Sequence, residues 1–405
     1  MLSKPAGVHE PDLTALLAQE WGITAPSLEH RPVGFGSHHW QAGHDWFVTV
    51  DELPAADNKA ADKKGADKKG ADEQSAGKGA AADKKAADKQ SAAKGAAAEE
   101  ADGKEADGKE ADGKEADGKG ADGKEADGKE AAGQMGADNG AANEESADNE
   151  AAGKEAADNL AAALGTAQDL RAGGLSFVVA PIPTRSGAPL ARLGTRYAVA
   201  VYPYVEGQSF DWGDWSSPEH HRAVLDLVVA LHTTTIPTRA RADDLGIPHR
   251  AALTADRADG HDHGPYSRRA AHLLAGHRTA IRRRLAEYDA LVPTQPSTVV
   301  ITHGEPHPGN TMLTTQGWRL IDWDTVRLAP PERDLWSLGS NEGHPDDYYT
   351  AATGYRPDPR LLELFRLRWD LSDLAVTAER FRRPHTGDAD DDESWEILES
   401  LVSAL

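Results

Sequence analysis

Cysteine is absent from all 405 residues, so neither a disulfide framework nor a thiolate metal site can form. The N-terminal "MLSKPAGVHEPDLTALLAQEWG" holds no apolar stretch of signal-peptide or membrane length, and a soluble, cytoplasmic protein with no membrane partner is expected. A basic face is missing as well. The formal charge of −23 at pH 7 argues against a general nucleic-acid binder, which needs positive charge to displace phosphate counterions. The same charge suits a cationic small-molecule substrate, although most acidic surfaces simply aid solubility.

Buryable side chains are missing from one long tract. Residues 54–159 contain no aromatic, Leu, Ile or Val, and so have almost nothing with which to offset their ordering entropy. Within the tract "ADGKEADGKEADGKEADGKGADGKEADGKE" (101–130) repeats a five-residue unit, a period matching neither the 3.6 of a helix nor the 2 of a strand. Ala, Lys and Glu favour helix, but a glycine in every unit costs about 1 kcal/mol each, and the tract is expected to be disordered. Lysine is nearly absent elsewhere. The tract holds 17 lysines and 27 acids, leaving 27 bases and 40 acids outside it, and of those bases only Lys4 is a lysine. An Arg-rich chain has therefore received a Lys-rich insertion. Closing so long a coil costs only about 4 kcal/mol, tolerable for a loop leaving a sheet edge. Neutral repeat expansion and a tethering role are both open readings of it.

The remainder is patterned for a fold. "DLTALLAQEWG" (12–22) places Leu13, Leu16, Leu17 and Trp21 on one helical stripe. "RPVGFGSHHWQAG" and "DWFVTVDEL" read as strands with a Gly-rich turn in the first. After the tract "NLAAALGTAQDLRAGG" reads as a helix stopped by paired glycines, followed by strands at "SFVVAPIPT" and "RYAVAVYPYVEG". The second half is mostly helical. "SSPEHHRAVLDLVVALHTTT" offers Ser217 as N-cap and Pro218 at the first helical position. Further helices are expected at "SRRAAHLLAGHRTAIRRRLAEYDALV", "PERDLWSLG", "RLLELFRLRWDLSDLAVTAERF" and "SWEILESLVSAL", with a strand at "STVVITHG" and a hairpin at "TMLTTQGWRLIDWD". The histidine clusters "SHHW" (37–40) and "GHDHG" (260–264) read as solvated loops.

Chemistry concentrates in "THGEPHPGNTML" (302–313) and "LIDWD" (320–324). A phosphoryl transferase must assemble a cover for the phosphates, ligands for Mg²⁺ and a carboxylate that orients the acceptor hydroxyl. His303-Gly304-Glu305 leaves a strand and offers a carboxylate, and Asn310 then offers an amide oxygen. Asp322 follows twelve residues later, across the hairpin. A carboxylate and an amide at adjacent strand ends can share one Mg²⁺. A zinc site built from His303, Glu305 and His307 is disfavoured, because Gly304 and Pro306 oppose the helix that would align the two imidazoles.

On these two motifs, preceded by a Gly-rich hairpin, the chain resembles the aminoglycoside phosphotransferase family. The likeness covers most of the chain outside the tract and is strongest from Val299 to Gly339. It implies an α+β, two-lobed protein-kinase-like fold, with a small antiparallel-sheet N-lobe carrying one main helix (1–53 and 160–207) and a mostly helical C-lobe (208–405), the N-lobe being interrupted by the insertion at 54–159. It implies an ATP-dependent phosphotransferase that moves the γ-phosphoryl group to a hydroxyl of a polar small molecule, an aminoglycoside or amino sugar among the candidates, with ATP and Mg²⁺ as cofactors. On that resemblance Glu305 stands at the catalytic-base position, with His303 in the same loop, packed or hydrogen-bonded behind it. Asn310 and Asp322 stand at the metal positions. Gly34, Phe35, Gly36 and Ser37 match the nucleotide-covering turn, and Tyr202-Pro203-Tyr204-Val205 the inter-lobe hinge. Asp334 in "PERDLW" matches a buried brace of the catalytic loop, which His307 also supports.

Two positions depart from the family pattern. Thr49 in "FVTV" occupies the place of a phosphate-pairing lysine, and the helix that should supply its glutamate partner shows only Gln168 and Asp169. Loss of both partners is self-consistent, since one survivor would be an unpaired charge. Glu305 stands where the family has Asp, and its extra methylene moves the carboxylate by about 1 Å, a displacement that can cost about 100-fold in rate. A nucleotide-binding pseudokinase with a regulatory role is therefore the alternative reading. The acidic charge is kept, however, and the metal-side groups are all present, which favours activity.

Overall fold

In "WFVTVDE" Val48 and Val50 are fully buried while Phe47, Thr49 and Asp51 lie on the opposite face, the period-two pattern of a strand with two unlike surroundings. In the computed structural model of the chain this strand sits at the centre of a five-stranded antiparallel sheet. The structure describes all residues except 6, 26, 35, 54–134, 214, 256–262, 293–297 and 340–344; side chains are described only from residue 151 onward in the helix that starts at Met135, and only from residue 347 onward in the helix that starts at Pro345. Strands β1 (Leu28–Arg31), β2 (His38–Ala42), β3 (Trp46–Glu52), β4 (Ala191–Leu193) and β5 (Tyr197–Pro203) run in the order β1-β2-β3-β5-β4. Strands β3 and β5 lie on either side of the insertion in sequence but pair directly, with Thr49 opposite Ala200 and Phe47 opposite Tyr202. Helix α1 (Glu10–Glu20) closes the outer face, burying Leu13 and Leu17 against Trp40, Val48, Val50 and Val199, with Leu16 and Trp21 at the margin.

Helix α2 (Met135–Ala172) begins well before the end of the low-complexity tract. The expectation of disorder up to residue 159 is corrected over residues 135–159, which are helical. The five-residue glycine unit has ended there, and between 141 and 159 Gly153 is the sole glycine in an Ala-rich run, so the propensity cost that opposes helix upstream is gone. Ala157 is buried with Leu53 and Ala198, its small side chain allowing close approach. Residues 54–134, where the rest of that expectation falls, lie outside the described residues. The chain divides into two units, Met1–Lys68 with Ala141–Leu405, and Lys69–Gly140. Both lobes and the candidate site belong to the first.

Two further expectations change. "SFVVAPIPT" is not a strand. Val178 makes an isolated parallel bridge to Leu320, and Pro181 and Pro183 deny the segment the donors a ladder needs. The short β4 supplies the fifth strand instead. "SHHW" is not a solvated loop: His38 and His39 start β2 and bond through Nδ1 to the Ser3 carbonyl (3.0 Å) and the Val33 carbonyl (2.7 Å). Of "GHDHG", residues 260–262 lie outside the described residues.

The second lobe is mainly helical. Ser217 caps α3 (Pro218–His232) by accepting the His220 amide at 3.2 Å. Helices α4 (Arg250–Thr254), α5 (Ser267–Leu291), α8 (Pro359–Arg380) and α9 (Ala389–Ser403) share a core that includes Ile281, Leu285, Phe365, Leu371, Leu374 and Leu398. Helix α9 starts at Ala389, ahead of the apolar run that announced it, because Asp388 and Asp391 form a reciprocal capping box. Short helices α6 (Glu332–Leu335) and α7 (Pro345–Thr353) lie between. Strand β7 (Val300–Thr302) pairs with β10 (Arg327–Ala329), while β8 (Thr311–Thr314) and β9 (Gly317–Leu320) form a hairpin that β6 (Gln208–Ser209) joins. These small sheets bring the loop after β7 beside the segment after β9. A sheet lobe carrying α2 and a helical lobe make the two-lobed, protein-kinase-like α+β fold. Among the described residues no helix is long and apolar enough to cross a membrane.

Burial of Ala157 makes the helix boundary testable. A variant in which a short Gly/Ser linker replaces residues 54–134 is expected to melt higher than one in which the same linker replaces residues 54–159. The second variant removes the α2 turns that cover Leu53 and Ala198. Equal melting temperatures would place no stabilising role on residues 135–159.

Candidate active site

The loop after β7 is anchored by its backbone. Asp334, on α6, accepts the His303 amide at 2.8 Å and the Gly304 amide at 2.6 Å. It also accepts Nε2–H of His232 at 3.0 Å, whose Nδ1 meets the Tyr349 hydroxyl at 2.8 Å. All of this is buried. Burial alone would raise the Asp334 pKa. The bond from His232 and the charges of His232, Arg333 and His303 outweigh it and hold the carboxyl below its usual range. Gly304 has φ +103°, and a Cβ there would lie 2.5 Å from the Arg333 guanidinium. Glycine is required at that position for both reasons. Arg333 is fixed in turn by Asp243 (3.0 Å), the Thr302 hydroxyl (2.9 Å) and the Thr325 carbonyl (2.7 Å).

His303 has no ring nitrogen left for a reactant. Its Nε2–H donates to the Ile321 carbonyl at 2.9 Å and its Nδ1 accepts the Glu305 amide at 3.3 Å. Burial lowers its pKa to about 4, so it is the neutral Nε2–H tautomer that ties the loop to the segment after β9. The Glu305 carboxylate is half-buried. Burial first, then the charges of Asp324 and Asp373, raise its pKa to about 7 against the opposing pull of Arg333. His307 Nε2 lies 3.9 Å from Glu305 Oε2, and His307 is itself held neutral by burial, near 4. Its Nδ1 is buried with no hydrogen-bond partner among the described residues.

Asn310 closes the loop. Its side-chain amide donates to the Glu305 carbonyl at 3.0 Å, leaving the amide oxygen for another partner. Its main-chain carbonyl accepts the Ile321 amide at 2.9 Å, which sets Asn310 beside Asp322. Asp322 has φ +65°, a conformation that costs a non-glycine residue about 1–3 kcal/mol and gathers at functional sites. Its neighbour Trp323 is fully buried and donates Nε1–H to the Leu320 carbonyl at 2.8 Å, holding the strained turn from the far side.

Two carboxylates not foreseen from the sequence, Asp324 and Asp51, act on Asp322. Asp324 and Asp322 are raised in pKa chiefly by burial, Asp322 also by the charges of Asp324, Glu305 and Asp51. Asp51 accepts a hydrogen bond from the Ser37 hydroxyl, and burial with the charge of Asp324 pushes it up to about 7. The signals were present: Asp51 shares a strand face with Thr49, and Asp324 is the second acid of "LIDWD". Tyr202 adjoins this group, its phenol held protonated by burial and by Asp51, Asp322 and Asp324. Gly34 and Gly36 adopt φ +71° and +95° in the turn before β2. Phe35 lies outside the described residues. Of the α2 residues expected opposite Thr49, Gln168 bonds the Pro181 carbonyl (3.1 Å) and Asp169 forms a two-pronged ion pair with Arg239 (2.8 and 2.9 Å), so neither engages Thr49. Tyr204 and Val205 line a separate cavity rather than the carboxylate group.

Beyond Glu305 stands an aromatic wall. Trp212, 66% exposed, lies parallel to Trp369 of α8 at 6.5 Å, with His307 edge-on to both. Among the described residues no three acidic or histidine side chains converge closely enough to hold a metal alone. Two carboxylates and an amide instead suit a cation such as Mg²⁺, which keeps its waters and completes its sphere with phosphate oxygens.

A two-lobed fold, a carboxylate loop braced from behind and an acid-lined cleft define a phosphotransferase of the small-molecule kinase type. The sequence profile of the phosphotransferase enzyme family matches residues 148–365, and the chain belongs to that family, the aminoglycoside phosphotransferase family whose loops it resembles. It is 33% identical over 254 residues to Protein StrN of Streptomyces griseus, an alignment covering 56% of this chain and 72% of that protein. Its fold matches spectinomycin phosphotransferase APH(9)-Ia, solved with ADP and spectinomycin, with a TM-score of 0.56 at 13% identity over 98% of this chain and 97% of that one.

Asp334→Ala is expected to destabilise the protein by about 3–5 kcal/mol, because it strands two buried amides and a histidine N–H. The folded Asp334 pKa lies below the ordinary value. Its contribution is therefore complete above about pH 4 and lost as pH falls through the folded pKa. Urea midpoints of wild type and variant should converge in acid. A constant gap down to low pH would contradict the brace.

Proposed function

We propose that this chain transfers the γ-phosphoryl group of ATP to a hydroxyl of a polar, amine-bearing small molecule, with Glu305 orienting the acceptor. The observation that carries the reading is the fixing of residue 305 on both sides, by Asp334 through the preceding amides and by Asn310 through its own carbonyl. A carboxylate so held can present one oxygen to a hydroxyl at about 2.6–3.2 Å. Asp322, Asp324 and Asn310 would hold Mg²⁺, which when bound would supply positive charge to the triphosphate. The turn at Gly34 to Ser37, anchored by Asp51, would cover the phosphates, and the backbone from Tyr202 to Val205 would meet the adenine. His303 and Asp334 would serve as supports behind the loop.

The acceptor side carries its own chemistry. Trp212 and Trp369 offer flat apolar surface of the kind that packs against a sugar or cyclitol ring. Asp373 of α8, raised to about 7 by burial and by Asp370, acts electrostatically on Glu305 and so lies on the same side. A cationic amine would relieve that repulsion. The family likeness and the fold shared with spectinomycin phosphotransferase support an aminoglycoside or amino sugar. The pseudokinase reading draws on Thr49, a neutral residue where the family pattern has a phosphate-pairing lysine. Binding of ATP without phosphorylation of any amine-bearing acceptor would favour it.

Two experiments test the assignment. Asp322→Ala is expected to abolish Mg²⁺-dependent ATP binding in calorimetry while leaving the circular dichroism of the fold unchanged. Wild-type affinity in that variant would remove Asp322 from the metal site. With an amino-sugar acceptor, Glu305→Gln is expected to lose about 100-fold or more in turnover. The wild-type kcat/KM should rise with pH through about 7 as Glu305 ionises. Added Mg²⁺ should move that inflection to lower pH, by offsetting the repulsion from Asp324. A profile flat across the neutral range, with Glu305→Gln fully active, would leave the carboxylate without a catalytic part.

A further inference from the structure

Arginines in this protein generally meet carboxylates. Arg239 has Asp169, Arg250 has Asp289, and Arg333 and Arg368 share Asp243. Arg171 and Arg319 do not, and neither do Arg192 and Arg241, which bond main-chain carbonyls and Asn159 respectively. Arg171, at the end of α2, donates to the Ser176 carbonyl. Arg319, on β9, donates to the Trp318 carbonyl (3.0 Å) and the Gln316 side chain (3.0 Å), with longer approaches at 3.4 Å to carbonyls of its own turn. Neither pairs with an acid among the described residues, in a chain with a large acidic excess. The two guanidiniums feel one another: burial and the charge of Arg171 both lower the Arg319 pKa.

Both line one cavity of about 780 Å³, within the size range of sites for drug-sized molecules. Its apolar wall is the Val178–Pro183 segment, the same stretch whose prolines prevent it from joining the sheet, together with Pro203 and Val205. Asp169 also lines it but is committed to Arg239, which leaves the exposed Glu206 as the other acid on the rim. None of Glu305, Asn310, Asp322, Asp324 or Asp51 takes part. Guanidinium forks recognise planar and tetrahedral oxyanions through paired hydrogen bonds.

We propose that this cavity is a second binding site, for a small organic anion that places a carboxylate or phosphate between Arg171 and Arg319 and a ring against the proline-rich wall. The site is built on the hairpin that carries Asn310 and Asp322 at its base. Val179 donates its amide to the Leu320 carbonyl (3.1 Å) and Leu320 donates to the Phe177 carbonyl (2.9 Å), tying the wall to β9 two residues before Asp322. An occupant would therefore bear on the segment that positions the metal-side groups.

The test uses the full-length protein with 8-anilinonaphthalene-1-sulfonate as fluorescent probe, and phenyl phosphate and benzoate as competitors. The probe should bind with saturating Mg²⁺-ATP present, and phenyl phosphate or benzoate should displace it, whichever is stronger identifying the preferred oxyanion. Arg319→Gln and Arg171→Gln should each weaken the competitor at least tenfold. Arg171 is exposed, so its substitution should leave the melting temperature unchanged. Arg222→Gln, remote on α3, should bind as wild type. Displacement of the probe by Mg²⁺-ATP, failure of both competitors, or unchanged affinity in Arg171→Gln would each overturn the proposal.

Discussion

The candidate site depends on one buried carboxylate. Asp334 accepts two successive amides at the start of the loop after β7, and each bond dictates backbone rather than side chain. The rest is consequence. Gly304, having no Cβ, can hold φ +103° and leaves the space that Arg333 fills. Arg333 can be buried because Asp243 and two oxygens satisfy it. His303 then turns back to the Ile321 carbonyl and binds the first motif to the second. A buried charge unpaired by loss of one partner is costly, which makes the group cooperative: no member can be exchanged without disturbing the others.

The cleft in front of that brace is held in the opposite way, by unsatisfied charge. Burial raises the pKa values of Asp51, Asp322, Asp324 and Glu305, the charge of Asp324 raises the other three further, and among the described residues no lysine stands with them. Such a cluster is poor for stability and suited to binding, since a cation entering it is stabilised by every member. The absence of lysine is less anomalous in this light. With Thr49 neutral and Asp51 engaging Ser37, the sheet lobe holds the turn at Gly34 to Ser37 through a hydroxyl–carboxylate bond, and on the proposed reading the positive charge that a triphosphate requires would come largely from bound cations.

Much of this was legible in the sequence because it rests on local rules. The α1 stripe, the Ser217 cap and the β8–β9 hairpin arise from periodicity and turn chemistry, and the two motifs with their twelve-residue spacing carried the loop, Asn310 and Asp322. The features that escaped were set by tertiary position. Asp51 is one acid at a strand end until β3 meets β5 across an insertion of about a hundred residues. Trp212 and Trp369 are far apart in sequence and become one wall only when α8 packs. The start of α2 is hidden in the composition of the tract as a whole, because helix formation responds to the local loss of the repeating glycine.

On the role proposed for Glu305, the geometry also bears on how glutamate would serve where the family pattern has aspartate. Amides 303 and 304 are fixed by Asp334 and carbonyl 305 by Asn310, with Pro306 and Pro308 stiffening the rest of the loop. None of these restraints touches the side chain of residue 305. The backbone therefore cannot retreat to absorb the extra methylene, and the longer carboxylate must reach about 1 Å further into the acceptor side. That side is bounded by His307, whose Nε2 lies 3.9 Å away, and by the repulsion of Asp373. Both limit where the longer side chain can swing. On the acceptor role proposed for Glu305, the chain length of residue 305 would suit an acceptor seated slightly farther from the loop, toward Trp212 and Trp369, with Asp373 on the same side.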